Sequence, residues 1–416
     1  MNFFIWIIVI ISVAGVLLRP RGIPEWVAAS LGAAALVLLG LLSPSAALAA
    51  IARGNDVYAF LGGMMLLAEA ARRSGLFDWV AAWAVRAAGG SRWRLFTLVY
   101  IAGVAVTVVL SNDATAVVLT PAVAAAARRA RVAPRPYLFA CALVANAASF
   151  VLPISNPANL VVFGATLPPL GTWLGLFALP SIAAIVMTFV ALGFVSRTDL
   201  RGPVSDAPDP QPLGLTGRMS LAAIAATALA LIIASGRGAA LGVTTALAAL
   251  IALIALAIVD RPLVTRVFGG VTWSVLPLVA GLFMLVAAVD RTGVLAAGHR
   301  AVLNLDARPP MLAALLAGGG TALLTNLTNN LPAGLLAGVV LGGTSHGRTI
   351  AAATAIGIDL GPNLSVGGSL ATVLWIAALR RDGVTIGALE FLRVGAIVMP
   401  PALIAALLLA SVGSSR

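Results

Sequence analysis

Two short polar clusters, Ser111-Asn112-Asp113-Ala114-Thr115 and Thr328-Asn329-Asn330-Leu331-Pro332, each lie in the middle of a long apolar stretch. An ionised carboxylate inside a bilayer costs about 2.5 to 3.5 kcal/mol or more unless something pairs with it, so Asp113 at such a place implies a site. Asn, Ser and Thr side chains offer oxygens to small cations, and both donors and acceptors to hydroxylated solutes. Asp113 adds a carboxyl that can load and unload a proton, and so does Asp359, which stands just before the break Gly361-Pro362-Asn363-Leu364. Asp113 and Asp359 are the candidate proton carriers.

Holding these groups inside a bilayer requires interrupted helices. Between Arg94 and Arg128 lie 33 residues of which only Asp113 is charged. As one helix they would reach about 50 Å, against a hydrocarbon core of about 30 Å. Broken at Ser111-Asn112-Asp113, each arm has about 15 residues and spans about 22 Å, too short to cross comfortably. A re-entrant hairpin is expected, its polar tip buried in surrounding protein. Residues 136–196 carry no charge and need two spans, with a turn at Leu167-Pro168-Pro169. Pro153 and Pro157, with Asn146, Ser149, Ser155, Asn156 and Asn159, interrupt the first of these, so that helix is expected to be discontinuous.

The composition fits a membrane. Hydrophobic residues make up 61% and charged residues 10% of the chain, against about 45 to 50% and 25% in soluble domains. The mean hydropathy is +1.07. All 26 basic residues are Arg, set in gaps between apolar runs, so the net charge of +12 reads as loop charge meeting lipid headgroups rather than as a nucleic-acid surface. Cys141 alone excludes an internal disulfide or a thiolate cage and reads as a small packed residue. The first apolar run lacks a basic leader and a cleavage site, so it is expected to be a retained span. His299 and His346 have no partner at metal-ligand spacing, and no cofactor or metal is expected. Without an HExxH, GxSxG or paired-Asp signature in a span, the chain does not read as an enzyme.

Spans are expected at about 2–18, 24–42 and 55–71, followed by a Trp-bearing interfacial stretch to Arg94, the hairpin and the 136–196 pair. Residues 196–217, rich in Pro, Asp and Arg, form the one clear linker, expected on the cytoplasmic side. The second half then repeats the first, with spans at about 218–235, 239–259 and 272–289, a hairpin at 310–345, a broken span at 349–379 and a last span at 386–411. At an offset of 218, Gly63, Leu67, Ala70, Arg73 and Gly75 match Gly281, Leu285, Ala288, Arg291 and Gly293. At 217, Ser111-Asn112-Asp113 falls on Thr328-Asn329-Asn330, and at 213 Asn146 falls on Asp359 and Asn156 on Ser369. Duplication is the economical reading.

The expected fold is therefore an all-α polytopic membrane protein of two inverted repeats, 1–195 and 218–416, each with five transmembrane helices, one discontinuous, and one re-entrant hairpin. Five crossings per half invert the halves. With the amino terminus outside, 19 of the 26 arginines fall in the cytoplasm, whereas counting each hairpin as a crossing leaves only 12 there; the positive-inside bias favours hairpins. Helix ends and unwound backbone would then meet near the midplane, where free N–H groups suit anions or neutral oxyacids and carbonyls suit cations. The competing reading, that the polar residues only satisfy one another at kinks, fits Ser149 and Ser369 better than it fits the duplicated tips. Glu69 reads as a salt bridge to Arg72 and Arg73 at a span end. Asp56 reads as a solvated residue at a span entrance.

SNDATAVVLTP, ANAASFVLPISNPANL, TNLTNNLP and GPNLSVGGSLATVLW resemble the matching segments of ArsB-type arsenite efflux permeases, within the wider ion-transporter superfamily that includes dicarboxylate carriers and sodium/proton antiporters. The resemblance covers nearly the whole chain. It implies a multi-pass protein of the bacterial cytoplasmic (inner) membrane that exports trivalent arsenite or antimonite, as neutral As(OH)3-like species, in exchange for protons. The runner-up is a sodium/proton antiporter or another ion transporter of the superfamily. It also implies a homodimer and, as for some members, a soluble ATPase partner. By likeness, Ser111, Asn112, Asp113 and Thr115, with Thr328, Asn329 and Asn330, carry substrate and coupling-ion contacts, and the broken helices add Asn156, Asn159, Asn363 and Ser369. Dicarboxylate carriers have Ser-Asn-Thr at both tips; Asp113 and Asn330 replace the third residue here, which argues against a dianion.

Overall fold

The computed structural model describes residues 2–204, 212–342, 347–381 and 383–413. Residues 205–211 of the expected linker, the end of the second hairpin at 343–345, and His346 lie outside them. Among the described residues, and short 3-10 turns aside, each half contains ten helical segments. The first half comprises α1 (Asn2–Leu18), α2 (Glu25–Leu38), α3 (Pro44–Arg53), α4 (Asn55–Arg73), α5 (Leu76–Ala87) and α6 (Arg92–Val109). Next is α7, made of Asn112–Ala114, a π-helical turn Thr115–Leu119 and Thr120–Arg129, then α8 (Arg135–Ala147), α9 (Pro157–Phe163) and α10 (Leu170–Val195). The second half comprises α11 (Leu215–Gly236), α12 (Leu241–Val259), α13 (Arg261–Gly270), α14 (Val275–Asp290), α15 (Val294–Asp306), α16 (Pro310–Thr328), α17 (Asn330–Gly342), α18 (Arg348–Leu360), α19 (Leu370–Arg381) and α20 (Ala388–Gly413). Among the described residues there is no strand, only one bridge between Ser91 and Pro203.

The bounds keep step between halves. α10 and α20 start and end 218 positions apart, and α8 and α18 start and end 213 apart. Helices α3 and α13, which lie between the expected spans, are short connectors. Ser43 starts α3 by accepting from Ala46 N at 3.3 Å, and Asp260 starts α13 by accepting from Leu263 N at 2.9 Å. The halves are interlaced: α4 packs on α12, and α14 packs on α2. Matching glycines permit both contacts. A Cβ on Gly63 would stand 2.8 Å from Thr245 O, and one on Gly281 would stand 2.9 Å from the backbone carbon of Ala29.

Burial sorts the helices as a bilayer would. α8 and α18 are buried almost all round, which explains why they lack a polar face. By contrast, Phe3, Ile10 and Ile11 on α1, Leu247, Ile251 and Ile254 on α12, and Leu179, Ile182 and Val190 on α10 are exposed, as lipid-facing side chains are. Among the described residues, seven helical segments, one of them α13 and α14 taken together, are long and apolar enough to cross a membrane, with α1, α2 and α17 as shorter apolar helices.

The ends of α6 and α7 lie together. Tyr137 Oη, at the start of α8, donates to Arg92 O at 3.4 Å, and Leu95 and Val99 of α6 share a crevice with Val123, Ala126 and Ala127 of α7. The start of α6 and the end of α7 therefore lie side by side. Arg92 also donates to the carbonyls of Pro203 and Arg201 at 3.0 and 3.1 Å, pinning the start of the linker to the same end. In the second half, Gly347 N donates to Asp306 Oδ1 at 2.8 Å, closing the base of α16 and α17 in the same manner. Arm α6 runs 18 residues, longer than the expected 15, because Ser91 caps it three residues early by accepting from Arg94 N at 3.3 Å. The added turn carries Arg92, Trp93 and Arg94, so the apolar arm keeps its expected length.

Candidate functional site

Four helices restart inside the protein, and each restart is capped by a residue singled out from the sequence. Ser111 Oγ accepts from Ala114 N at 3.3 Å, Asn156 Oδ1 from Ala158 N at 3.0 Å, Asn329 Oδ1 from Leu331 N at 3.4 Å and Ser369 Oγ from Ala371 N at 3.1 Å. Ser111 and Asn329 are each the residue just before the second arm, Asn329 alone between its arms and Ser111 with Leu110 before it. The structural register of the tips is thus 218, not 217, and Asp113 stands opposite Leu331. Asn329 takes φ 80 and ψ 154, a conformation otherwise reserved for glycine.

Each tip is tied to the break of its own half. Ser155 Oγ donates to Val108 O at 3.2 Å beside the first tip. At the second, Asn329 Nδ2 donates to Gly367 O at 3.1 Å, and Asn326 Nδ2 donates to Gly361 O at 3.0 Å while its Oδ1 accepts from Ser365 Oγ at 2.6 Å. The two breaks are joined across the halves: Asn156 Nδ2 donates to Asp359 Oδ1 at 2.7 Å, and Asn146 Nδ2 donates to Asn363 Oδ1 at 3.0 Å. Among the described residues no hydrogen bond joins the tips directly.

The amides in this cluster are oriented by fixed partners. Asn363 Nδ2 donates to Leu143 O at 3.0 Å, which forces its Oδ1 towards Asn146, and Asn159 Nδ2 donates to Ser149 O at 2.9 Å. What remains buried without a partner is Asn146 Oδ1, Asn159 Oδ1, Asn330 Oδ1 and Asp359 Oδ2. All four are acceptors. Chemically, these four oxygens can take a proton, an O–H donor or a small cation.

The other expected residues divide. Ser111 and Asp113 line a cavity of ≈ 70 Å³ with Phe60, Met64, Glu69, Val117 and Pro157, and among the described residues no side chain pairs with the Asp113 carboxylate. Thr115 instead faces α6, with its Oγ1 2.8 Å from Thr107 Oγ1, Asn112 Oδ1 accepts from Asp113 N at 2.9 Å, and Thr328 Oγ1 donates to Leu324 O at 2.9 Å. These three brace the tips. Glu69 pairs with Arg72, whose Nε donates at 2.6 Å, and with Arg73, whose Nε donates at 2.7 Å, as its spacing indicates. Asp56 is not simply solvated: its Oδ1 accepts from Gly242 N at 2.9 Å and caps α12 of the other half, a partner 186 positions away that no local pattern reveals. His299 Nε2 lies 3.4 Å from Val339 O. Asn326 and Ser365 escaped the sequence reading, although Asn326 stands only three positions before Asn329.

The sequence of the citrate-transporter family, CitMHS, matches residues 4–359. The chain belongs to that family. It is 29% identical to the arsenical pump membrane protein of Escherichia coli (strain K12), over 95% of each chain. The arsenical pump membrane protein of Yersinia enterocolitica is 30% identical, over 79% of this chain and 80% of that one. An uncharacterized transporter of Mycobacterium tuberculosis is 26% identical over 94% of each. Among solved structures, the Alcanivorax borkumensis YdaH transporter, described as having an unusual topology, shares the fold at a TM-score of 0.54 with 16% identity, covering 88% of this chain and 86% of that one. This family member is accordingly a multi-pass bacterial membrane transporter, and the ArsB-type likeness read from its motifs holds along the whole chain.

Proposed function

We propose that the protein exports trivalent arsenite or antimonite, as a neutral hydroxide, from the cytoplasm in exchange for protons. The observation that carries this is the cavity at the first tip. Among the described residues its charged lining is Asp113, whose carboxylate pairs with no side chain, and Glu69, which Arg72 and Arg73 hold. Citrate would meet the unpaired Asp113 carboxylate there. A neutral trihydroxide has three O–H donors for an acceptor-rich site, and the similarity to arsenical pump membrane proteins over 95% of the chain supports that class of solute. Asp113 and Asp359 are the proton-carrying groups in this reading, Ser111 meets the solute, and Asn156, Asn159, Asn330 and Asn363 hold the breaks around it.

The same reading takes segments 1–195 and 218–416 as inverted repeats joined by a cytoplasmic linker, with the first hairpin entering from the cytoplasm and the second from outside. It includes a homodimer and a soluble ATPase docking on the arginine-bearing cytoplasmic ends, both drawn from the resemblance. A sodium/proton antiporter is the second reading, favoured by the four unpartnered oxygens, which suit a small cation. Uptake of arsenite, sodium and citrate measured side by side in everted vesicles separates these. Proton-dependent arsenite uptake supports the first; sodium-dependent proton flux indifferent to arsenite selects the second; citrate uptake rejects both.

A further inference from the structure

The cavity at the first tip is one space, and its equivalent in the second half is two. Across the offset of 218, Phe60, Met64, Ser111 and Asp113 of the first-tip cavity match Leu278, Leu282, Asn329 and Leu331, which line a pocket of ≈ 10 Å³ at the second tip. That is room for about one water. Across the same offset Met65, Ala68, Val117 and Val275 match Phe283, Val286, Leu335 and Val57, which line a wide cavity of ≈ 420 Å³. Among the described residues, none lines both the pocket and the wide cavity.

The boundary can be located on both helices that carry it. On α14, Leu282 belongs to the pocket and the next residue, Phe283, to the wide cavity, which continues through Val286 to Asp290 at the helix end. On α17, Leu331 belongs to the pocket, and Leu335, one turn further from the tip, to the wide cavity. In the first half the equivalent steps, Met64 to Met65 and Asp113 to Val117, lie within a single cavity. The second half therefore has the larger side chain on each helix at the step, Phe for Met and Leu for Val. Phe283 is seated edge-on against Tyr58, with ring centroids 6.1 Å apart, and Gly54 makes room for it, since a Cβ there would stand 2.8 Å from Phe283 Cε2.

We propose that Phe283 and Leu335 form a hydrophobic gate, closed in this structure, between the second tip and the wide cavity. The wide cavity is the vestibule through which solute leaves, and the pocket behind the gate is walled instead by Leu17 at the end of α1 and Glu25 at the start of α2. An exchanger that offered both faces a path at once would let protons run down their gradient without solute; an apolar step prevents this by excluding water. The gate goes beyond the proposed function and rests on it only for which face is outside.

The test needs no solute. In a Cys141→Ala background, reporter cysteines are placed at Leu331, in the pocket, and at Ala287, in the wide cavity, and an impermeant thiol reagent is applied to vesicles of either orientation. From the outer face Ala287→Cys reacts and Leu331→Cys does not. Phe283→Ala raises the outer-face rate at Leu331→Cys about tenfold or more, because truncating a packed Phe removes most of what holds such a step shut. The milder pair Phe283→Met with Leu335→Val, which restores the first-half residues at nearly the same volume, moves the rate in the same direction and keeps the test decisive if the Ala variant does not fold. The gate is overturned if Leu331→Cys reacts as fast as Ala287→Cys from one face before either change, or if neither change alters its rate. Reaction of Ala287→Cys from the cytoplasmic face would defeat the orientation in the proposed function, while the ratio of the two reporters still decides the gate.

Discussion

Asn156 in the first half donates through Nδ2 to Asp359 Oδ1 in the second, at 2.7 Å and 203 positions apart in sequence. The other end of the same amide caps α9, so one side chain fixes both a helix start and the junction between halves. Asn156→Ala removes both. It leaves a buried carboxylate oxygen without its donor and a helix without its cap, together worth about 2 to 4 kcal/mol. The expected outcome is a clear drop in the thermal unfolding midpoint of detergent-purified protein. An unchanged midpoint would mean that the junction does not contribute to stability.

Asp113→Asn keeps the size and shape of the tip and removes only the charge and the titrating proton. Since no side chain among the described residues pairs with this carboxylate, the fold loses no partner. The variant is expected to reach the membrane in wild-type amount and to lose export, scored as cellular arsenic retained by a sensitised host. Retained resistance would remove Asp113 from the mechanism.

The element pattern was legible where local chemistry decides it. Pro153, Pro157 and Pro362 mark the breaks, the charge-free run 136–196 demands two helices, and the 213 and 218 offsets recur in the observed bounds. What was not legible depends on backbone geometry or on distant partners. The one-residue error in tip register arose because polar triplets were aligned, whereas the turn is made by the residue in extended or positive-φ backbone, Ser111 or Asn329. The bonds from Asn326 to Gly361 and from Asp56 to Gly242 join chain segments with no shared motif. Thr115, expected from the resemblance to contact the solute, has its hydroxyl 2.8 Å from that of Thr107 one turn below the break, a contact that no motif reveals.

Asn329 is held at φ 80 and ψ 154, where a side chain with Cβ costs about 1 to 3 kcal/mol. Its amide offsets part of that by capping α17 and binding Gly367 O. Asn329→Ala keeps the strain and loses both bonds, so it should destabilise by about 2 kcal/mol or more. Asn329→Gly relieves the strain while losing the same bonds and should lie close to wild type. Thermal unfolding of the three proteins checks the order. If Ala were as stable as Gly, the positive φ would not be present in the membrane-embedded protein.

The pair of hairpins can be tested by cysteine labelling, because Cys141 is the one cysteine of the chain and is buried. In a Cys141→Ala background, cysteines at Arg92 and Arg129 bracket α6 and α7. Tyr137 of the next helix reaches back to Arg92, so both positions should react with an impermeant thiol reagent from one side, the cytoplasmic side. Cysteines at Arg308 and Arg348 bracket α16 and α17, whose base is closed by Gly347 and Asp306, and both should react from the opposite side. A crossing helix of 33 residues would place 92 and 129 about 50 Å apart, a separation that the shared crevice of Leu95, Val99, Ala126 and Ala127 does not allow. Labelling of Arg92→Cys and Arg129→Cys from opposite compartments would therefore reject the hairpin, and with it the placement of Asp113 at mid-membrane that makes it available to a solute.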